Sequence, residues 1–151
     1  MLRLIGICGL VLLVGAGGTR AAEKLEPLPS LFVKNDAGLD KGANFVVIKD
    51  QKQFDKFFGH ARVMWQKQKA APPDFNKQLL VAAIHQGNCY TEYKVQSVTN
   101  ENSVMTIRYT TKTRPTPNTS YACPMILALP REGFTSVKFI ENDKPAATLK
   151  L

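Results

Sequence analysis

The alternation of apolar and polar residues predicts several β-strands in the second half of the chain. Residues 79–84 form a continuous apolar run, which is typical of a strand buried on both faces. Residues 90–98 and 103–111 are strand-like runs joined by four polar residues, and this spacing suits a hairpin. Further strands are expected at 121–129 and 137–140, whereas the tail 146–151 either adds an edge strand or frays.

Residues after Asp50 have helical rather than alternating spacing. Asp50 suits a helix N-cap, and Gln53, three residues on, suits the partner in a capping box. Apolar side chains then recur at intervals of three and four residues, as on one face of a helix: Phe54, Phe57, Phe58, Ala61, Met64 and Trp65. A core-facing stripe explains this pattern more simply than a cofactor site does. The proline-containing segment 71–74 ends the predicted helix.

Together these elements predict an α+β domain. An N-terminal amphipathic helix would pack on a mostly antiparallel sheet of about five to six strands. A strand is expected at 45–48, where β-branched and aromatic residues cluster, and a short one around 31–33.

The first 22 residues have the three-part layout of a secretory signal peptide. Arg3 precedes an apolar run over 4–18, and small residues follow, so cleavage is expected after Ala21 or Ala22. An uncleaved anchor is the alternative. The predicted organisation is a signal at 1–22, a leader at 23–43 and one domain at 44–151. We therefore expect a secreted or periplasmic protein with no stable membrane insertion after cleavage.

Removal of the signal alters both the charge and the cysteine count. The chain of 151 residues has 20 basic and 12 acidic residues, and the loss of Arg3 and Arg20 leaves a net charge of +6. The lysines are scattered along the sequence, and with export this argues against nucleic acid as a partner.

Cys89 and Cys123 remain after removal of the signal, and in an oxidising compartment such a pair usually forms a disulfide. A redox-active pair is the alternative, although such cysteines are normally close in sequence.

The order of these elements resembles the PrcB C-terminal domain family, whose namesake is an accessory subunit of a bacterial surface protease complex. The similarity covers about 45–141 and is most characteristic over 72–83, ending at Gly87. Where members carry a glycine-rich segment and a Gln-Pro-Tyr segment, this chain has Cys89 and Cys123, and the resemblance thereby supports their pairing. It implies a protein partner, which would be a secreted or envelope protein of the protease type.

The sequence contains no recognisable catalytic set. A serine hydrolase would need a nucleophile elbow and a histidine base, and no such elbow occurs. His85 stands four residues before Cys89, but a zinc site usually needs four ligands, so no metal or other cofactor is predicted. His60 is interpreted as a surface helix residue, and no two carboxylates are marked as a facing pair.

A proline-containing polar segment at 112–120 is the best candidate for a binding loop. Its expected contact residues are Arg114, Pro115, Pro117 and Tyr121, and the prolines would lower the entropy lost on binding. A plain connector is the alternative. The leading hypothesis is an exported, non-enzymatic domain that binds a protein partner. The others are a binder of an acidic envelope polymer or small ligand, and an unrecognised hydrolase.

Overall fold

The computed structural model describes residues 25–29, 31–60 and 73–151. The predicted signal peptide and its cleavage site lie outside the described residues, as do Ala61, Met64 and Trp65 of the predicted helical stripe. In chain order the elements are β1 Leu31–Val33, β2 Gly42–Ile48, α1 Gln51–Phe57, β3 Phe58–His60, β4 Gln78–Gly87, β5 Cys89–Glu101, β6 Val104–Pro115, β7 Tyr121–Pro130, β8 Ser136–Glu141 and β9 Lys144–Lys150.

The described residues are mostly β, so the expected α+β fold is wrong. Strands account for 62% of them, and the single helix has seven residues. The strands form three sheets, with the orders β1-β3, β2-β4-β7 and β5-β6-β8-β9. The nine strands in the described part of the chain also exceed the five to six predicted.

The helix prediction is right at its start and wrong at its end. The Asp50 carboxylate accepts a hydrogen bond from the Gln53 amide at 2.8 Å, and the Gln53 side chain accepts one from the Lys49 amide at 2.9 Å. At Phe58, however, the backbone becomes extended, with φ −124° and ψ 151°. The chain then pairs antiparallel with β1, and Gly59 lies opposite Phe32. A Cβ on Gly59 would clash with the Phe32 ring, so the glycine makes room for that side chain.

The three-stranded and four-stranded sheets pack face to face. Between them lies a core to which both contribute, for example Val81 and Leu127 from one sheet and Ile107 and Phe139 from the other. The Phe45 and Phe139 rings, from opposite sheets, have centroids 4.9 Å apart. The molecule is thus built around a β-sandwich with an apolar core between its two sheets.

A second core covers the outer face of the three-stranded sheet. Leu80 and Ile126 point to this face and pack with Phe54 of α1 and Phe58 of β3. Strand β4 therefore has buried side chains on both faces, as its continuous apolar run predicted. Within the described residues, no helix is long and apolar enough to cross a membrane.

The predicted hairpin is confirmed, with a tighter turn than expected. Strands β5 and β6 pair from Cys89–Pro115 to Glu101–Val104, which leaves Asn102 and Ser103 as the turn. Both have positive φ, 51° and 62°, as a type I′ turn requires. At the other end, β6 continues to Pro115. The first four residues of the polar segment 112–120 are therefore strand, and the connection to β7 is limited to 116–120.

The chain changes from the four-stranded to the three-stranded sheet between β6 and β7. Strand β7 follows β6 in sequence but pairs with β4, whereas β6 pairs in parallel with β8. Strand β9 then pairs antiparallel with β8 at the edge of the sheet. The C-terminal segment 146–151 therefore adds an edge strand. This topology brings the end of β4, the start of β5, the end of β6 and the start of β7 together. We call this region the Gly87 end.

Candidate functional site

Three of the exposed side chains at the Gly87 end form a compact patch. Tyr90 and Arg114 are direct partners in the β5–β6 register, and the guanidinium carbon lies 5.5 Å from the Tyr90 ring centroid. The Tyr121 ring meets Tyr90 edge-on, with centroids 5.7 Å apart. Both tyrosines remain about 40% exposed, at 41% and 39%. We refer to Tyr90, Arg114 and Tyr121 as the tyrosine–arginine patch.

The patch combines two residues predicted from sequence with one that sequence reasoning missed. The sequence predicts Arg114 and Tyr121 as contact residues of a binding loop, and the structure brings both against Tyr90. Arg114 also forms an ion pair with Glu92, which fixes the direction of its side chain. The alternation of residues along β5 could have identified Tyr90. It lies on the same strand face as the polar residues Glu92 and Lys94, which indicates that its side chain is exposed.

The two predicted prolines have different positions. Pro115 is the last residue of β6 and lies opposite Cys89. Pro117 lies in the short connection to β7, which is closed by the Thr119 amide donating to the Thr116 carbonyl at 3.1 Å. The Thr116 amide donates to the Asn88 carbonyl at 2.9 Å and holds the connection against the start of β5. Pro117 is thus near the patch but is not among the side chains that form it.

Basic side chains gather on the outer face of the four-stranded sheet. Register and alternation place six of them there, which we call the basic face: Lys94, Arg108, Lys112, Arg114, Lys138 and Lys150. Glu92 and Glu101 are the acidic residues that the same register places on this face. Lysines that are scattered along the sequence therefore lie partly on one face of the folded protein. A shallow hollow of about 410 Å³ on this face is lined by Glu92, Lys94, Thr110 and Lys112, among others.

A polar network lies between the sheets. The Tyr109 hydroxyl donates to Glu141 at 3.2 Å, and the Thr111 hydroxyl donates to the other carboxylate oxygen at 2.8 Å. The Asn142 side-chain amide donates to the Thr111 hydroxyl at 2.9 Å. Burial, followed by the Glu141 charge and this hydrogen bond, raises the pKa of Tyr109 well above its usual range. The network therefore holds Tyr109 as a neutral phenol.

Nearer the Gly87 end, a buried polar group between the sheets lacks a hydrogen-bond partner in the described structure. The Thr91 hydroxyl is buried and has no hydrogen-bond partner among the described residues. It borders a cavity of about 20 Å³, which has room for one water molecule. Tyr93 also borders this cavity and donates to the Cys123 carbonyl at 3.1 Å. Burial is the main cause that raises the pKa of Tyr93 above its usual range.

Both cysteines are free thiols at this end, and one of them contacts a histidine. The Cys89 sulfur lies 3.2 Å from His85 Nδ1, so the pair suggested by their spacing does meet. The Cys123 sulfur is buried and accepts a hydrogen bond from the Thr91 amide at 3.3 Å. The predicted disulfide remains a prediction. Within the part of the chain that the structure describes, no group of three or more metal-ligating side chains is assembled.

His60 lies away from this region. It is the last residue of β3, not part of a helix, and its ring is 5.9 Å from the Phe54 ring, centroid to centroid.

Comparison of the chain with protein-family models, curated proteins and solved structures finds no match. The candidate site therefore has to be interpreted from its own chemistry.

Proposed function

We propose that this chain is an exported, non-enzymatic domain that binds an acidic surface of a protein partner. The observation that carries this proposal is the basic face, with the tyrosine–arginine patch at its edge. Export is supported by the signal-like pattern at 1–22. The absence of a nucleophile elbow from the sequence supports a binding role over hydrolysis.

Charge explains the preference for an acidic surface. Six cations on this face outnumber its three carboxylates, which are Glu92, Glu101 and Asp143, the ion-pair partner of Arg108. Such a field raises the rate of encounter with an oppositely charged partner. Charged residues at the rim mainly determine orientation and association rate. We therefore expect binding that weakens steeply as salt concentration rises.

The tyrosine–arginine patch supports a protein rather than a polymer as the partner. Tyrosine and arginine are enriched among the residues that contribute most to protein–protein affinity. Tyr90 and Tyr121 contact each other edge to face and Arg114 pairs with Glu92, so these side chains are partly oriented before binding. The resemblance to an accessory subunit suggests a secreted or envelope protein of the protease type as the partner.

An anionic envelope polymer is the second candidate, and the basic face is the observation that favours it. A polymer would depend on charge number and would need no contact with the tyrosines. The two candidates therefore differ in how they respond to loss of the patch and to loss of the face.

The test uses affinity capture from the native host, followed by measurement of Kd with the purified partner. We expect Arg114→Ala combined with Tyr121→Ala to weaken binding at least about 100-fold, as expected for central interface residues. Replacing Lys94, Lys112, Lys138 and Lys150 by Gln should weaken it at least about tenfold, mainly through the association rate. The matched control replaces Lys41, Lys52, Lys56 and Lys77, which removes the same charge elsewhere.

Two outcomes would contradict the protein-partner proposal. One is equal loss of binding in the control and in the basic-face variant, because charge position would then be irrelevant. The other is binding to polyglutamate or polyphosphate that is as tight as binding to any captured protein and insensitive to the Arg114 and Tyr121 changes. The second outcome would favour the polymer.

A further inference from the structure

Three strands bring a histidine and two cysteines to the Gly87 end, where the two sulfurs are not bonded to each other. His85 and Cys123 are register partners in β4 and β7, and Cys89 begins β5. Cys89 Sγ lies 3.2 Å from His85 Nδ1 and 4.0 Å from Nε2. An imidazole at this distance can accept the thiol proton and stabilise the thiolate, which is the reactive form of cysteine.

The two thiols are not equivalent. Cys89 is partly exposed, whereas Cys123 is 8% exposed and lies on the inner side of the sandwich. Burial is the largest influence on Cys123 and raises the pKa of its thiol, while the Thr91 amide acts in the opposite direction. An incoming reagent would therefore reach Cys89 first.

Cys123 is nevertheless held close to the strand that carries Cys89. Its sulfur accepts the hydrogen bond of the Thr91 amide, and Thr91 is two residues after Cys89 on the same face of β5. A backbone donor aimed at this sulfur would stabilise a thiolate there once Cys89 has reacted.

We propose that Cys89 is a thiol–disulfide exchange site, with His85 as its proton acceptor and Cys123 as the resolving thiol. The reagent class is a low-molecular-weight disulfide, RSSR. This site lies at the same end of the molecule as the tyrosine–arginine patch but uses different side chains, and neither proposal depends on the other.

The exchange proceeds in two balanced steps. The Cys89 proton passes to His85, and the Cys89 sulfur attacks one sulfur of RSSR, forming Cys89–S–S–R. The other half leaves as a thiolate and takes the proton from His85, which releases one RSH. Cys123 then attacks the Cys89 sulfur, loses its own proton and displaces the second RSH. RSSR is reduced to two RSH, while the two protein thiols are oxidised to the Cys89–Cys123 bridge.

The test uses the full chain with Cys8 replaced by Ser in every variant, since Cys8 is a third thiol. The protein is treated with oxidised glutathione at neutral pH, and the products are mapped by peptide mass spectrometry. The native chain should form the internal bridge, and Cys123→Ser should accumulate the glutathione adduct at Cys89. Cys89→Ser is the matched control and should leave Cys123 unmodified, because that thiol is buried. His85→Gln combined with Cys123→Ser should form the adduct at least tenfold more slowly.

A rate comparison keeps the test decisive if a variant folds poorly. In Cys123→Ser, Cys89 should react faster in the native chain than in the same chain unfolded by urea, because only the folded chain places His85 beside it. Slower native reaction would overturn the proposal. So would modification of Cys123 in the Cys89→Ser variant, or an unchanged rate in the folded His85→Gln variant.

Discussion

Tyr109 and Glu141 are direct partners in the parallel pairing of β6 with β8, and the tyrosine hydroxyl donates to the carboxylate at 3.2 Å. The pair lies where two non-sequential strands meet. It is therefore a sensitive reporter of whether the four-stranded sheet is correctly assembled.

Alkaline pH should destabilise the protein through its two buried tyrosines. Burial raises the pKa of Tyr109 and Tyr93 above the ordinary value of about 10. The unfolded chain therefore loses these phenol protons first, so stability falls as pH rises above about 10. We expect the free energy of unfolding from urea titrations to fall between about pH 9 and about pH 11, and to fall less steeply in Tyr109→Phe.

At neutral pH, Tyr109→Phe should cost about 1.5 kcal/mol, which is the scale of a hydrogen bond to a charged group. An unchanged pH dependence in both Tyr109→Phe and Tyr93→Phe would contradict the assignment of the alkaline loss to these residues.

Burial of β4 on both faces can be tested with a matched pair of neighbours. Leu79 faces the core between the sheets and Leu80 faces the core under α1, with 3% and 0% exposure. Leu79→Ala and Leu80→Ala should each lower the free energy of unfolding by about 2–5 kcal/mol. A surface-like effect, below about 0.5 kcal/mol, for either variant would contradict the layered arrangement.

The turn between β5 and β6 offers a stabilising substitution. Ser103 has φ 62°, a left-handed conformation that glycine adopts without steric cost. Ser103→Gly should therefore raise the free energy of unfolding by about 0.5–1 kcal/mol, measured by urea denaturation. Asp143→Gly, in the equivalent turn between β8 and β9 with φ 63°, should act in the same direction. A clear loss of stability in Ser103→Gly would argue against this turn geometry.

The helix cap predicts a loss of similar size. The Asp50 carboxylate accepts the Gln53 amide, so Asp50→Ala should lower the free energy of unfolding by about 1 kcal/mol. Asp36→Ala removes an exposed aspartate outside the helix and serves as the control. Equal effects of the two variants would contradict a capping role.

Local signals in the sequence predicted local structure well. Asp50 and Gln53 marked the helix start, the apolar run at 79–84 marked a strand buried on both faces, and the hairpin followed from two strand-like runs. In each case the residues whose sequence pattern led to the prediction also make the interactions that form the element.

The errors come from contacts between distant segments. Phe54, Phe57 and Phe58 have helical spacing, but Phe58 leaves the helix because its segment pairs with β1, more than twenty residues earlier. The basic face could not be predicted from the sequence either, because the β5–β6–β8 register is what places Lys94 and Lys138 on one face. Tyr90 and Tyr121 lie in different sheets, and their contact depends on the β4–β7 pairing and on the short connection from β6 to β7.

The change of sheet between β6 and β7 affects the rate of folding. The β5–β6 hairpin is local and can form early, but β4 must wait for β7, as in the pairing of Leu80 with Ala128. Chain closure over such a distance must precede the contacts that reward it, and this slows folding. We therefore expect folding on the millisecond-to-second scale, with a half-built sheet as the species most exposed to association during synthesis.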